Sequence, residues 1–139
     1  MAALTKDVPR RTKGLSKLQA YKVATNAVIY KGAIVCTNAS GYLVPGADTA
    51  NFNCVGIATE AADNTGGANG DLEILVYRGV AYVSTTGANA VTQANVGQDA
   101  VILDDNTIVL AAGATNDTTA GEIMAVDSYG VAVNFTGKR

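Results

Sequence analysis

Four side chains in this sequence are the first candidates for chemistry: the thiols of Cys36 and Cys54 and the adjacent carboxylates of Asp104 and Asp105. Histidine is absent from the 139 residues, which removes the commonest general base and the usual serine or cysteine triad. Two sulfurs without a histidine do not fill a tetrahedral zinc site. We therefore expect the cysteines to be reduced and buried in adjacent or facing strands, with a disulfide as the alternative.

The two aspartates fall between apolar runs, at a position where we predict the tip of a hairpin. A catalytic carboxylic acid needs a buried pocket that shifts its pKa, whereas a hairpin tip is exposed to water. The glycine-rich stretch at residues 66–71 lacks the ligand pattern of a calcium loop and the Gly-Lys-Thr of a P-loop. We predict no catalytic residue, no metal and no cofactor, so the protein is not expected to be an enzyme.

The elements around these residues have the pattern of β-structure. From Tyr21 onward, short runs of valine, isoleucine, tyrosine and threonine alternate with turn residues, and no helical period lasts for three turns. Turn chemistry at 38–41, 104–106 and 127–130 predicts three hairpins, and Gly79 predicts a sharp bend between two strands. Residues 62–70 carry no side chain suited to a core and are expected to form a long exposed loop.

The basic residues are concentrated at the start of the chain. The first 31 positions hold seven basic residues and one acidic residue, a net charge of +6, while the other 108 positions hold three basic and eleven acidic residues, a net charge of −8. Residues 1–20 have few apolar side chains and are interrupted by Pro9 and Gly14, which favours an extended arm. We predict that this arm binds a partner through five side chains: Lys6, Arg10, Arg11, Lys13 and Lys17.

Composition adds expectations about size and association. The length fits one domain, and hydrophobic residues make up 48% of the chain against 16% charged ones. That is more apolar surface than one small core is expected to hide, so we predict a homo-oligomer. No apolar run is long enough to span a membrane, and the first residues lack the apolar stretch of a secretory signal, so we expect synthesis in a cytoplasm.

Six short motifs in fixed order resemble those of the small capsid decoration (cement) proteins of tailed bacteriophages. The motifs are KGAIV at 31–35, GYLVP at 41–45, VGIA at 55–58, YRGVAYV at 77–83, VGQDAV at 96–101 and GEIMAVD at 121–127. The resemblance covers roughly residues 21–135. It implies a trimer that binds the major capsid protein on the outer surface of the virion and stabilises the shell, after synthesis in the cytoplasm of the bacterial host.

Together these observations predict an all-β chain: an extended basic N-terminal arm (1–20) followed by a compact antiparallel β-barrel or β-sandwich body (21–139). The function expected is that of a structural virion protein. The alternative is a non-catalytic interaction module whose basic arm tethers nucleic acid or an acidic protein. Nucleic acid is the less favoured partner, because the negative net charge of the body repels phosphate and leaves the arm as the single basic segment.

Overall fold

The structure, a computed structural model, describes residues 17–135 and confirms the predicted all-β class. Within that range the chain forms twelve strands. In chain order they are β1 (Leu18–Lys22), β2 (Val28–Ile29), β3 (Ile34–Thr37), β4 (Leu43–Pro45), β5 (Asn53–Ala58), β6 (Ala62–Asp63), β7 (Glu73–Tyr77), β8 (Val80–Val83), β9 (Asp99–Ile102), β10 (Ile108–Val109), β11 (Thr119–Asp127) and β12 (Gly130–Asn134).

The strands form two five-stranded antiparallel sheets and one two-stranded ribbon. The first sheet has the order β1-β7-β5-β3-β4, the second has the order β10-β9-β11-β12-β8, and β2 pairs with β6 in the ribbon. In each five-stranded sheet the two edges also meet at a single parallel bridge, Val23–Leu43 in the first and Ser84–Thr107 in the second. The sheets are thus strongly curled, but they stack as a sandwich rather than closing into a barrel.

The three predicted hairpins are present, and all three use the same local device. Each turn begins with an Asn or Asp whose Oδ1 accepts a hydrogen bond from the backbone N–H two residues later, as from Ser40 to Asn38 at 3.0 Å. The equivalent bonds run from Asn106 to Asp104 at 2.8 Å and from Tyr129 to Asp127 at 2.9 Å. The side chain thereby takes the place of a backbone acceptor and fixes the turn.

Strand β3 is buried on both faces and lies between two hydrophobic cores. Its Val35 packs into the first core, inside the first sheet, whereas Ile34 and Cys36 pack into the second core, between the two sheets. All three side chains are completely buried. Because burying one such side chain contributes about 1.5–3 kcal/mol, this strand is the main hydrophobic joint between the sheets.

Two glycines lie in strand bulges. Gly56 in β5 and Gly121 in β11 have φ of +148° and +158° and lie where the strand register shifts. A Cβ on Gly56 would collide with the carbonyl oxygen of Tyr77, and one on Gly121 would collide with that of Asn134. Glycine is therefore required at these two points, where a neighbouring backbone approaches too closely for any side chain.

Two expectations from the sequence are corrected. The first strand begins at Leu18 rather than at Tyr21, because residues 18–20 continue the antiparallel pairing of β1 with β7. The stretch 62–70 is also not a simple exposed loop. Its Asn64 is buried, and the side-chain Nδ2 donates hydrogen bonds to the carbonyl oxygens of Ala24 and Ala68 at 2.9 and 3.0 Å. A polar side chain anchors this loop, where the prediction considered only apolar ones.

The cysteines are free and lie on adjacent strands, as predicted. Cys36 in β3 is the direct register partner of Cys54 in β5. Cys36 is fully buried, but Cys54 is only half-buried, so the expectation that both are buried holds for one of them. The hydrogen bond with the Cys36 thiol, together with burial, raises the pKa of Cys54 well above its ordinary value.

This environment predicts low thiol reactivity in the folded protein. In denaturant, titration should find two free thiols. At mildly alkaline pH, iodoacetamide should alkylate Cys54 at least about tenfold more slowly in the native protein than in the unfolded chain, because a raised pKa depletes the reactive thiolate. The pH at which the alkylation rate rises should be higher for the native protein than for the unfolded chain. Equal rates in the two states, or the absence of titratable thiols after unfolding, would contradict this assignment.

Candidate protein-binding surface

Of the five predicted partner-binding residues, the structure describes one. Lys6, Arg10, Arg11 and Lys13 lie outside the described residues, so their role stays a prediction. Lys17 is exposed, and its carbonyl oxygen accepts a hydrogen bond from the Arg78 backbone N–H at 2.7 Å. Because β1 begins at Leu18, residues 18–20 of the predicted arm (1–20) belong to the first strand, and we call Lys17, the residue before it, the arm root.

The root of the arm is fixed to the first sheet by β1. All five residues of β1 are in register with β7, from Leu18 opposite Tyr77 to Lys22 opposite Glu73. Tyr21 packs against the first core. An arm attached in this way cannot move independently of the sheet at its attachment point.

A second contact ties β1 to the link between the sheets. The hydroxyl of Tyr21 accepts a hydrogen bond from Nη1 of Arg78 at 3.1 Å, and the buried Nε of Arg78 has no hydrogen-bond partner among residues 17–135. Arg78 and Gly79 form the two-residue link between β7 and β8, and the Gly79 carbonyl oxygen accepts a hydrogen bond from the Phe135 N–H at 2.9 Å. The arm therefore starts where the chain passes from one sheet to the other.

The first sheet leaves an apolar surface open beside this root. On its outer side, the sheet is covered at β3 and β5, where Cys36 and Ile57 pack into the second core. At the β1–β7 end the same side carries Leu18, Ala20 and Leu75, which we call the β1 face. Leu18 and Leu75 are 44% and 41% exposed, so they are apolar groups that the monomer leaves in contact with water.

A second open apolar surface lies on the edge strand β8. Val80 and Tyr82 are exposed, while the alternating Ala81 and Val83 pack into the second core. Tyr129, at the hairpin between β11 and β12, is 80% exposed. We call Val80, Tyr82 and Tyr129 the β8 face.

The two tyrosines of the β8 face are held in a fixed arrangement. Their ring centroids are 5.6 Å apart at an interplanar angle of 54°, and the Tyr82 hydroxyl donates a hydrogen bond to Oδ2 of Asp127 at 2.8 Å. That bond to a carboxylate is the main cause that raises the pKa of Tyr82. Rigid aromatic side chains at a surface are typical of protein-binding sites, because little conformational entropy is lost on contact.

The charges of the described part favour a basic partner segment over an anionic one. Residues 17–135 contain eleven acidic side chains and four basic ones, Lys17, Lys22, Lys31 and Arg78.

Within the same range, no three His, Cys, Asp or Glu side chains are grouped so that they could hold a metal ion. No helix of this part is long and apolar enough to cross a membrane.

Sequence reasoning missed both faces, and the reason is local. Strands β7 and β8 carry apolar residues on both sides. The alternation of apolar and polar residues that normally separates core from surface is therefore absent, and the pattern does not show that Leu75 and Val80 face solvent. A signal was available at Tyr129, because a large aromatic residue between Ser128 and Gly130 in a hairpin turn is expected to project into solvent.

The hydrogen bond from Arg78 to Tyr21 predicts a measurable loss of stability when it is removed. Tyr21→Phe leaves the ring packed but removes the acceptor of a charged donor, so the free energy of unfolding should fall by about 1–2 kcal/mol. The matched control Tyr30→Phe changes a tyrosine that is 69% exposed, and it should alter stability by less than about 0.5 kcal/mol. Urea denaturation measures both. Equal effects in the two variants would show that the Tyr21 hydroxyl does not anchor β1.

Comparisons with known proteins found no match for this chain. No family model, no curated protein and no solved structure matches it. The resemblance to decoration proteins therefore stays a prediction from short motifs. The function has to be argued from the arm root, the β1 face and the β8 face themselves.

Proposed function

We propose that this protein is a capsid decoration protein, which binds the outer surface of a bacteriophage shell and stabilises it. The observation that carries the proposal is the position of the arm root. The basic residues 1–17 join an acidic body at the arm root, beside the exposed leucines of the β1 face, and β1 fixes this point by a complete five-residue register with β7. Such a body requires no catalytic group, because its work is attachment.

The arm and the body supply different parts of the binding free energy. Sixteen residues precede Lys17, and fully extended they would reach about 55 Å, enough to cross a neighbouring subunit. Ordering an arm costs about 1–2 kcal/mol per residue, so its basic side chains must form several contacts before it contributes net affinity. The apolar faces contribute by burying surface that is already rigid and needs no ordering.

We assign self-association to the β8 face. It lies on an edge strand, where unpaired backbone groups and exposed apolar side chains together favour pairing with another chain. The resemblance to decoration proteins favours three copies, and three-fold symmetry would then place the β8 face of each copy near the axis, against a different surface of the next copy. A trimer would carry three arms, and the linked attachments would raise avidity by orders of magnitude over one arm.

The alternative, an interaction module whose arm tethers nucleic acid or an acidic protein, has one observation in its favour, the basic arm itself. The eleven acidic side chains of residues 17–135 weigh against nucleic acid, because they repel phosphate wherever the body approaches the duplex. Binding by the arm alone would be weak, independent of nucleotide sequence and strongly dependent on salt.

Sedimentation with empty shells and with double-stranded DNA tests the proposal. The intact protein should sediment with shells, and saturated shells should burst at a higher temperature than bare ones, because a ligand of the assembled state stabilises it by mass action. Neutralising two arm charges (Arg10→Gln with Arg11→Gln) should weaken shell binding about tenfold and reduce its salt dependence. The matched control, Lys22→Gln with Lys31→Gln on the body, should bind shells like the unmodified protein.

Three outcomes would contradict the proposal. An unchanged bursting temperature at saturating occupancy would remove the stabilising function. Equal losses in the arm and body variants would remove the role of the arm. Sedimentation with DNA but not with shells would establish the alternative module instead.

A further inference from the structure

A polar cleft of about 290 Å³ opens at the seam between the two sheets. One wall is the chain entering β5, residues 51–54, and the opposite wall is the chain entering β11, residues 116–119. The volume is at the lower end of the range of small-molecule sites, about 300–1,000 Å³. Neither the β1 face nor the β8 face contributes to its lining.

The two walls are joined by the carboxylate of Asp48. Its two oxygens accept hydrogen bonds from the backbone N–H groups of Thr115 and Asn116 at 2.7 and 2.8 Å. In return, the Asn116 side-chain amide donates to the Asp48 carbonyl oxygen at 2.9 Å. The two N–H donors are the main reason that the pKa of Asp48 lies below its ordinary value, so the clamp persists at moderately acidic pH. A cleft braced in this way is largely preformed.

Left-handed backbone occurs on both walls. Three non-glycine residues of the described chain have positive φ, and two of them line this cleft: Asn51 at +67° and Asp117 at +49°. The third, Asn26 at +58°, lies elsewhere. Asn and Asp are the residues other than glycine that adopt this conformation most readily, so glycine can replace either one without a change of backbone conformation.

The lining chemistry identifies a class of ligand. The amide of Asn51, the carboxylate of Asp117 and the hydroxyl of Thr119 supply both donors and acceptors beside the half-buried ring of Phe52. Among residues 17–135, no lysine or arginine lines the cleft, so an anion would find no countercharge on this part of the chain. The group lacks the three clustered ligands that a metal ion requires. Hydroxyl groups both donate and accept hydrogen bonds, and they match this lining.

We propose that this cleft binds an uncharged saccharide of one or two units. Asn51, Asp117 and Thr119 would bind the sugar hydroxyls, and the part of the Phe52 ring that does not pack against the second core would contact the pyranose. The proposal concerns the isolated protein and does not depend on capsid binding.

The test uses the full-length protein labelled with ¹⁵N and titrated with glucose, galactose, mannose and N-acetylglucosamine while amide spectra are recorded. At least one sugar should shift the signals of residues 51–54 and 116–119, with a Kd in the millimolar range, about 4 kcal/mol. The variants Asn51→Gly and Asp117→Gly remove a lining side chain while keeping a residue that adopts positive φ without strain. Each should weaken binding about tenfold.

The matched control is Asn26→Gly. Asn26 has the same backbone geometry but lies outside the cleft, and its Oδ1 accepts the Gly66 N–H at 2.8 Å, so Asn26→Gly removes a loop contact without removing a lining side chain. Its sugar affinity should equal that of the unmodified protein. The proposal is overturned if no sugar shifts the cleft signals, if both cleft variants bind undiminished, or if Asn26→Gly loses as much affinity as they do. None of these results bears on shell binding, because no shell is present.

Discussion

The burial of β3 on both faces is the constraint from which the rest of this structure follows. With Val35 in the first core and Ile34 and Cys36 in the second, the strand holds the two sheets together along one line. The second sheet therefore covers the first at β3 and β5 but leaves the β1–β7 end uncovered. The exposed leucines of the β1 face result from this offset, and the polar cleft lies where the chains entering β5 and β11 come together at the seam.

Charged residues are also unevenly distributed along the chain. The acidic side chains belong mostly to the body, and the basic ones belong mostly to the first residues of the chain. The arm is available to a partner unless the acidic body of the same molecule binds it, and the sixteen residues before Lys17 are long enough to reach either. On a lattice, the repeated partner surface and the combined effect of several linked arms would favour attachment to the shell.

The features that could be predicted from the sequence are those encoded locally. The three Asx-type hairpins depend on residues within four positions of each other, and all three were identified. The start of β1 was placed three residues late, because the polar Lys17 and Gln19 hide a pairing that only β7 establishes. Asn64 was missed because its buried hydrogen-bond partner Ala24 is forty residues away.

The candidate sites were harder to predict for the same reason. Asp48 and Asn116, which brace the cleft, are separated by 68 positions and meet only in the folded chain. The five arm residues were predicted from charge alone, without any information on what they contact. Strands that are apolar on both sides gave no indication of which residues would face solvent, so Leu75 and Val80 could not be distinguished from core residues before the sheets were seen to be offset.

Electron cryomicroscopy of shells saturated with the protein tests the central claim most directly, because it locates the arm root and the faces relative to the capsid. The account predicts bodies on the outer surface, grouped in threes with their β8 faces together. It also predicts continuous density from Leu18 that runs onto the capsid protein. Bodies bound singly with the β1 end directed away from the shell, or shells without added density at saturating protein, would contradict it.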